Sequence, residues 1–219
     1  MELKDAIYER QSMRDFSDRE ISDADLKEIV TDASRAPSWA NSQPWQVFIA
    51  KGGMLARIKQ QHAEWDNAGR GGNSDIDTIH RGEWAPVAQQ NMQQWSNQVL
   101  QELGNNMAAS MKFSKSQHQL FNASAIVYLV LPKDAAGWSL YDLGAFGQTL
   151  MLSATDHGIQ SIPAYELVKF PNMIRKEFKI GDNQMIAMGI ALGYAKTDEA
   201  INQIYTKRTP VDSFLTIKD

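Results

Sequence analysis

The sequence predicts a single α/β (α+β) domain, and three observations support this prediction. The chain has 219 residues, of which 43% are hydrophobic, which is enough for one substantial core but few for two. Helical and strand patterns alternate along the chain without an internal repeat. The run AIVYLVLP at 125–132 is almost entirely apolar, which is typical of a central strand covered on both faces.

Two helices are predicted before the first strand. The pattern over 2–10 is helical, and a second helix begins after Ser22, which has capping-box spacing with Asp25. Apolar residues then continue at helical spacing, and we expect this helix to end before Pro37 because a proline disfavours helical geometry in the residue before it.

The middle of the chain gives a weaker pattern. WQVFIA at 45–50 predicts a short strand, 54–66 a helix, and the glycine-rich DNAGRGGNSD at 66–75 a loop. Residues 84–122 have helical propensity but are rich in glutamine, asparagine and methionine, with patchy periodicity. We therefore expect 54–124 to form a variable excursion or lid outside the core.

A regular pattern returns in the second half. A long apolar helix is predicted to begin at Ser139, with Ser139 and Asp142 as its cap, and to close at Gly158. Residues 184–195 predict the last strand. The tail at 196–219 has little pattern, so we expect it to cover a sheet edge or to lie against a partner subunit.

Composition excludes several classes of function. The formal net charge is −4 and there is no cysteine, so nothing predicts a nucleic-acid partner, a thiolate nucleophile or a cysteine metal site. The charged start MELKDAIYER and the absence of a long apolar run predict neither a targeting nor a membrane segment, and we expect a cytoplasmic protein. The four histidines are His62, His80, His118 and His157. No two of them have metal-ligand spacing, so no metal site is predicted.

The stretch RQSMRDF at 10–16 suggests anion binding. If the first helix continued, Arg10 and Arg14 would share a face that excludes Ser12. If the helix ends near Arg10 and the chain extends, all three side chains alternate onto one side, where two guanidiniums and a hydroxyl suit a phosphate. An ordinary helix end with solvated arginines is the alternative.

Two further stretches are polar and stiffened by proline. APSWANSQPWQVF at 36–48 predicts a rigid helix-to-strand loop with amide and hydroxyl groups, and YTKRTPVD at 205–212 adds two basic residues before a turn. Taken alone, the first is a structured turn above Trp45 and the second a solvated tail.

Together and in this order, the stretches resemble the nitroreductase family of flavin enzymes. RQSMRDF is similar to the family's R-R-S-x-R-x-F signature, APSWANSQPW to its P-S-x-x-N-x-Q-P-W loop, and KRTP to its closing signature. DLGAFGQTLMLSATDHGIQSIPAY is similar to its central helix and the turn that follows. One departure is Gln11, which stands where an arginine is usual. The resemblance covers both ends and most of the core but not 54–124.

The resemblance implies a central, mostly antiparallel sheet flanked by helices, in an intertwined homodimer that holds FMN at its interface. It implies a ping-pong exchange of two electrons between NAD(P)H and a nitroaromatic, quinone or related acceptor, with no catalytic side chain. Arg14 is implied to stabilise the reduced flavin. The other implied cofactor-binding residues are Arg10, Gln11, Ser12, Lys207 and Arg208 at the phosphate and ribityl end, Pro37, Ser38, Trp39 and Asn41 from the other subunit, and Pro163, Ala164 and Tyr165 near N5.

Substrate-pocket residues are expected in or beside the variable segment, with ordinary packing as the alternative for each. They are Trp84, Phe113, His118, Phe121 and Tyr128. Two alternatives for function stay open: a flavin- or phospholigand-binding protein without turnover, and a relative that performs enone reduction, reductive dehalogenation or flavin breakdown. The sequence names neither the acceptor nor the preferred nicotinamide.

Overall fold

The computed structural model describes residues 1–219 as helices packed on both faces of a four-stranded sheet. The strands are β1 (Gln46–Lys51), β2 (Ala125–Pro132), β3 (Gln160–Pro163) and β4 (Gln184–Gly193). The helices are α1 (Leu3–Glu9), α2 (Asp23–Ala33), α3 (Gly52–Asn67), α4 (Pro86–Leu103), α5 (Met107–Ser116), α6 (Gly137–Asp156) and α7 (Pro171–Phe178). The predicted α/β class is confirmed.

The sheet is antiparallel throughout, in the order β1-β2-β4-β3. β2 lies in the interior, where Tyr128 is opposite Phe48 of β1 and Gly189 of β4. β1 and β3 are the edge strands. The prediction that 125–132 is a central strand is therefore confirmed.

The two faces of β2 belong to two hydrophobic clusters. Ile126, Tyr128 and Val130 contribute to a cluster of 19 buried residues that includes side chains of α3 and α7. Val127 and Leu129, on the other face, contribute to a cluster of 17 buried residues with α2 and α6. Successive residues of a strand point to opposite faces, so an apolar strand with a core on each side is buried along its length.

The helix-end predictions had mixed outcomes. The Ser22 hydroxyl accepts a hydrogen bond from Asp25 N at 3.0 Å and caps α2, as predicted. The cap at Ser139 and Asp142 is wrong, because α6 begins at Gly137 and Asp142 lies inside it. Gly158, with φ at 69°, follows the end of α6 as predicted, since glycine tolerates this left-handed geometry.

Two elements, β3 and α7, were not predicted. β3 has four residues, too few for a periodic pattern, and exists because it pairs with β4. α7 has eight residues and begins at Pro171, whose fixed φ suits the first helical position.

The excursion expected over 54–124 is smaller in the structure, because α3 and the residues just before β2 contribute Leu55, Ile58, Leu120, Phe121 and Ala123 to the 19-residue cluster, which leaves α4 and α5 outside it. α4 and α5 contribute Val99, Leu103 and Ala109 to a third, small cluster. The rest of this cluster is Ile201 and Ile204, at the base of the tail. The helices thus pack on the start of the C-terminal segment, apart from the two main clusters. None of the helices is long and apolar enough to cross a bilayer.

Candidate active site

The arginine-bearing stretch leaves α1 and extends beside the sheet. α1 ends at Glu9, and Ser12 forms a parallel bridge with Ser161 of β3. Phe16 is fully buried and its ring lies so close to Gly193 that a Cβ there would approach it to 2.7 Å. The extended alternative for residues 10–16 is therefore confirmed, and Phe16 anchors its far end.

Arg10, Gln11 and Ser12 line a cavity of about 410 Å³ together with Arg208 from the tail. The remaining lining residues are Ile7, Tyr8, Tyr205 and Thr206, so no carboxylate borders the cavity. Arg10 makes no ion pair, and the Arg208 guanidinium donates only to backbone carbonyls of its own segment. Lys207 does not line the cavity.

The electrostatics of this cavity favour an anion. Burial, and then the charge of Arg208, lower the pKa of Arg10, because both make a positive charge harder to hold there. Gln11 Oε1 is buried and has no hydrogen-bond partner. A phosphate would neutralise the guanidiniums. The cavity therefore suits a phosphorylated ligand.

Arg14 does not join this cavity, contrary to the expected convergence of the three side chains. Its Nη1 donates to Ser12 O at 2.9 Å, and its guanidinium lies 5.3 Å from the Trp95 ring centre and 5.2 Å from that of Phe113. No carboxylate pairs with it, and burial lowers its pKa to about 10. The stretch thus presents a second, separate cation under α4 and α5.

The polar loop before β1 is strained and exposed. Ala40, Asn41 and Gln43 have φ of 50°, 57° and 44°, a left-handed geometry that non-glycine residues rarely adopt. Trp39 N donates to the Asp142 carboxylate of α6 at 3.0 Å. Asp142 therefore holds the loop instead of capping α6. Pro37, Ser38, Trp39 and Asn41 do not line the anion cavity of their own chain.

The segment after β3 lies beside a second, apolar cavity. Pro163 borders a volume of about 320 Å³ lined mainly by α6 and strand residues. Ala164 packs against the core, and its N–H donates to Gly189 O at 3.2 Å. The Tyr165 side chain is exposed. Of these three residues, only Pro163 lines the cavity beside α6.

The expected substrate-pocket residues do not lie together in the structure. Phe113 lies on Arg14, and Trp84 is exposed. Phe121 and Tyr128 are buried in the 19-residue cluster, which favours the packing alternative for both. His118 contacts Asp66 at the end of α3.

His118 belongs to a charged group that the sequence did not predict. Its partner Asp66 also accepts from Lys169 Nζ at 2.5 Å, and Glu166 accepts from the same ammonium at 2.9 Å. The hydrogen bond from Lys169 lowers the pKa of Asp66. His62 Nε2 lies 3.1 Å from Glu166. Three side chains that could bind a metal ion lie close together, namely Asp66, His118 and Glu166. The Lys169 ammonium already pairs with both of the carboxylates.

The sequence analysis also did not predict a role for two buried polar residues beside Arg14, Asp15 and Asn202. The Asp15 side chain lies under α5, and Asn202 Oδ1 accepts from Arg14 N at 2.6 Å and from Asp15 N at 3.2 Å. Asn202 Nδ2 returns a hydrogen bond to Asp15 O at 2.8 Å. The nearest signal in the sequence was Asp15 itself, a charge directly before the buried Phe16.

Comparisons with known proteins agree on one family. The model described as the nitroreductase family matches residues 7–194. Nitroreductase NfnB of Mycolicibacterium smegmatis is 26% identical over 210 residues, which cover 92% of this chain and 86% of the relative. Chloronitrobenzene nitroreductase of Comamonas testosteroni is 24% identical over 221 residues, covering 98% of this chain and 96% of the relative.

Solved structures give the same result. The FMN- and NADPH-dependent nitroreductase NfnB of Sphigopyxis sp. strain HMH is 25% identical, with a TM-score of 0.89 and full coverage of both chains. NfnB of Mycobacterium smegmatis in complex with NADPH is 23% identical, with a TM-score of 0.89 over 99% of this chain and 97% of that chain. The second likeness supports the fold alone.

Proposed function

The chain belongs to the nitroreductase family, whose model matches residues 7–194, and from that premise we propose that it is an FMN-dependent oxidoreductase. It passes two electrons from NADPH or NADH to nitroaromatic, quinone or related acceptors. NADPH is the donor to test first, because the NfnB structures that resemble this chain are described with NADPH.

The cavity at Arg10 is the observation that carries this proposal. Two arginines and a serine line it without a neighbouring carboxylate, which suits the phosphate and ribityl chain of FMN. A hydrogen bond to a charged group contributes roughly 1.5–3 kcal/mol. Arg10, Ser12 and Arg208 together could therefore retain FMN through purification, with Lys207 adding positive charge nearby.

FMN, when bound, supplies the hydride chemistry by accepting two electrons from the nicotinamide and releasing them to the acceptor. The protein's own groups bind and orient it. Arg14, a guanidinium without a carboxylate partner, provides fixed positive charge for the negative charge of the reduced ring. Pro163, Ala164 and Tyr165 border the other ring edge in this proposal.

We further propose an intertwined homodimer in which Pro37, Ser38, Trp39 and Asn41 complete the partner's site. Large apolar side chains are exposed at both ends of the single chain, which favours a covering partner. They include Leu3 and Ile7 in α1 and Phe214, Leu215 and Ile217 in the tail. The edge strand β1 is also free to be covered by a tail. A reaction that uses NAD(P)H fits a cytoplasmic location, which we propose on that ground.

The proposed function is tested by the absorption spectrum of the purified protein before and after anaerobic NADPH or NADH. We expect flavin bands that bleach with the nicotinamide and return on adding 4-nitrobenzoate, a quinone or an enone. Bound FMN that never bleaches would favour the binding-protein alternative. A protein that takes up no added FMN would contradict the proposal.

A matched pair of variants tests the cavity. Arg208→Ala should weaken FMN binding, measured by titrating flavin-free protein. Lys133→Ala is the control, because Lys133 is exposed in the turn after β2 and makes no ion pair. Equal affinities in both variants would show that FMN binds elsewhere.

A further inference from the structure

Asp15 is a buried carboxylate at the point where three parts of the chain meet. Its side chain accepts hydrogen bonds from Asn122 Nδ2 at 2.8 Å and from Lys196 Nζ at 3.3 Å, and it pairs with Lys112 Nζ at 2.7 Å. Lys196 follows β4, and Asn122 precedes β2. Lys112 comes from α5. Only 1% of Asp15 is exposed, so this charge depends on its partners.

The contact with Lys112 links Asp15 to α5. Lys112 also pairs with Glu199 in the segment after β4, so one ammonium joins α5 to two carboxylates of the main body. The apolar contribution of α5 is small, since Ala109 is its single buried member of the third cluster and Phe113 packs against that cluster. The two ion pairs of Lys112 therefore add to what fixes the position of this helix.

The residue after Lys112 is Phe113, one of the two rings that enclose Arg14. The other ring, Trp95, comes from α4. A shift of α5 would move Phe113 away from the guanidinium and widen the space above Arg14. Asp15 follows Arg14 directly in the chain, so the same short segment supplies the enclosed cation and the anchor of the enclosing helix.

We propose that Asp15 is a positioning residue that, through Lys112, holds α5 so that Phe113 and Trp95 enclose Arg14 and border the site where the acceptor binds. This role deepens the proposed function and rests on it, because it requires Arg14 to lie at the reacting flavin. Asp15 itself touches neither cofactor nor acceptor. We call Asp15, Lys112 and Glu199 the α5 anchor.

The test changes Lys112 because the loss of buried Asp15 could unfold the chain. Lys112→Met keeps the aliphatic stem and removes the charge, whereas Lys112→Arg keeps the charge. Lys115→Met is the matched control, since Lys115 lies one turn later in α5, is exposed and makes no ion pair. All are studied as FMN-loaded full-length protein.

Two measurements are made on each variant. In Lys112→Met we expect the amides of residues 107–116 to exchange hydrogen about tenfold faster, because the helix opens more often. We expect KM for 4-nitrobenzoate to rise several-fold with kcat within about twofold, because the loosened helix weakens acceptor binding but leaves the flavin chemistry unchanged. Lys112→Arg should restore both values, and Lys115→Met should match the wild type.

The outcomes separate this inference from the proposed function. Wild-type protein that binds FMN but never turns over would refute the proposed function, whatever the exchange data show. Wild-type turnover together with a Lys112→Met variant that matches Lys115→Met in both exchange and KM would refute the α5 anchor. A loss of kcat in Lys112→Met with an unchanged KM for 4-nitrobenzoate would also refute it, since that pattern indicates damage to the flavin site.

Discussion

Replacing Arg14 with methionine should stabilise the protein and slow its reaction at the same time. Burial lowers the pKa of Arg14 to about 10, well below the ordinary arginine value, and one pKa unit corresponds to 1.36 kcal/mol, so keeping the charge there costs the folded state about 3 kcal/mol. The two aromatic contacts and the hydrogen bond from Nη1 to Ser12 O together offset about 2 kcal/mol of this cost. We therefore expect Arg14→Met to raise the free energy of unfolding by about 1 kcal/mol in flavin-free protein.

The same variant should slow flavin reduction by NADPH by roughly 10²–10³-fold, the usual cost of removing one group that stabilises developing negative charge. FMN affinity should change only a few-fold, because Arg14 does not line the cavity that contains Arg10. Urea denaturation measures the stability, and stopped-flow absorbance measures the reduction. Arg14→Lys is the control that keeps a charge. Greater FMN loss than in Arg10→Ala, with normal reduction of the retained fraction, would refute this reasoning.

Three further predictions concern other residues. Tyr128→Phe should leave the free energy of unfolding unchanged or raise it by about 1 kcal/mol in urea denaturation, because the buried hydroxyl has no hydrogen-bond partner; a loss of 1 kcal/mol or more would reveal a hidden partner. Arg208→Ala should lower the affinity for FMN about tenfold or more, and Lys207→Ala should lower it less, because only Arg208 lines the cavity. Flavin titration measures both affinities, and equal losses would contradict this geometry. Burial alone would raise the pKa of Asp15, but hydrogen bonds from its amide and lysine partners lower it. The ionised carboxylate therefore stabilises the folded protein above the unfolded pKa of about 3.9, and this stabilisation is lost as pH falls through the lower folded pKa. Stability measured between pH 5 and pH 2 should therefore fall less steeply in Lys112→Met than in the wild type, and parallel curves would show that this ion pair does not lower the pKa.

Local patterns predicted the elements whose stability is encoded in consecutive residues. The run at 125–132 indicated a strand with a core on each face, because period-2 alternation cannot place apolar side chains on both sides unless both are covered. The Ser22 cap was predictable for the same reason, since donor and acceptor are three residues apart. The four-residue β3 was not, because only its pairing with β4 makes it a strand.

The sequence by itself determined the fold class and, through the order of its motifs, the family, whereas it left the extended arginine stretch as one of two alternatives. The tertiary structure alone decided which polar groups lie together. Arg208 and Arg10, from opposite ends of the chain, line one cavity, and Asp142 accepts a hydrogen bond from Trp39 N instead of capping α6. The tertiary structure also separated Arg14 from the anion cavity and placed Lys112 on Asp15. The physical reason is range: helix caps and strand alternation depend on neighbours in sequence, whereas a cavity or a buried ion pair depends on packing between distant segments, which no local pattern encodes.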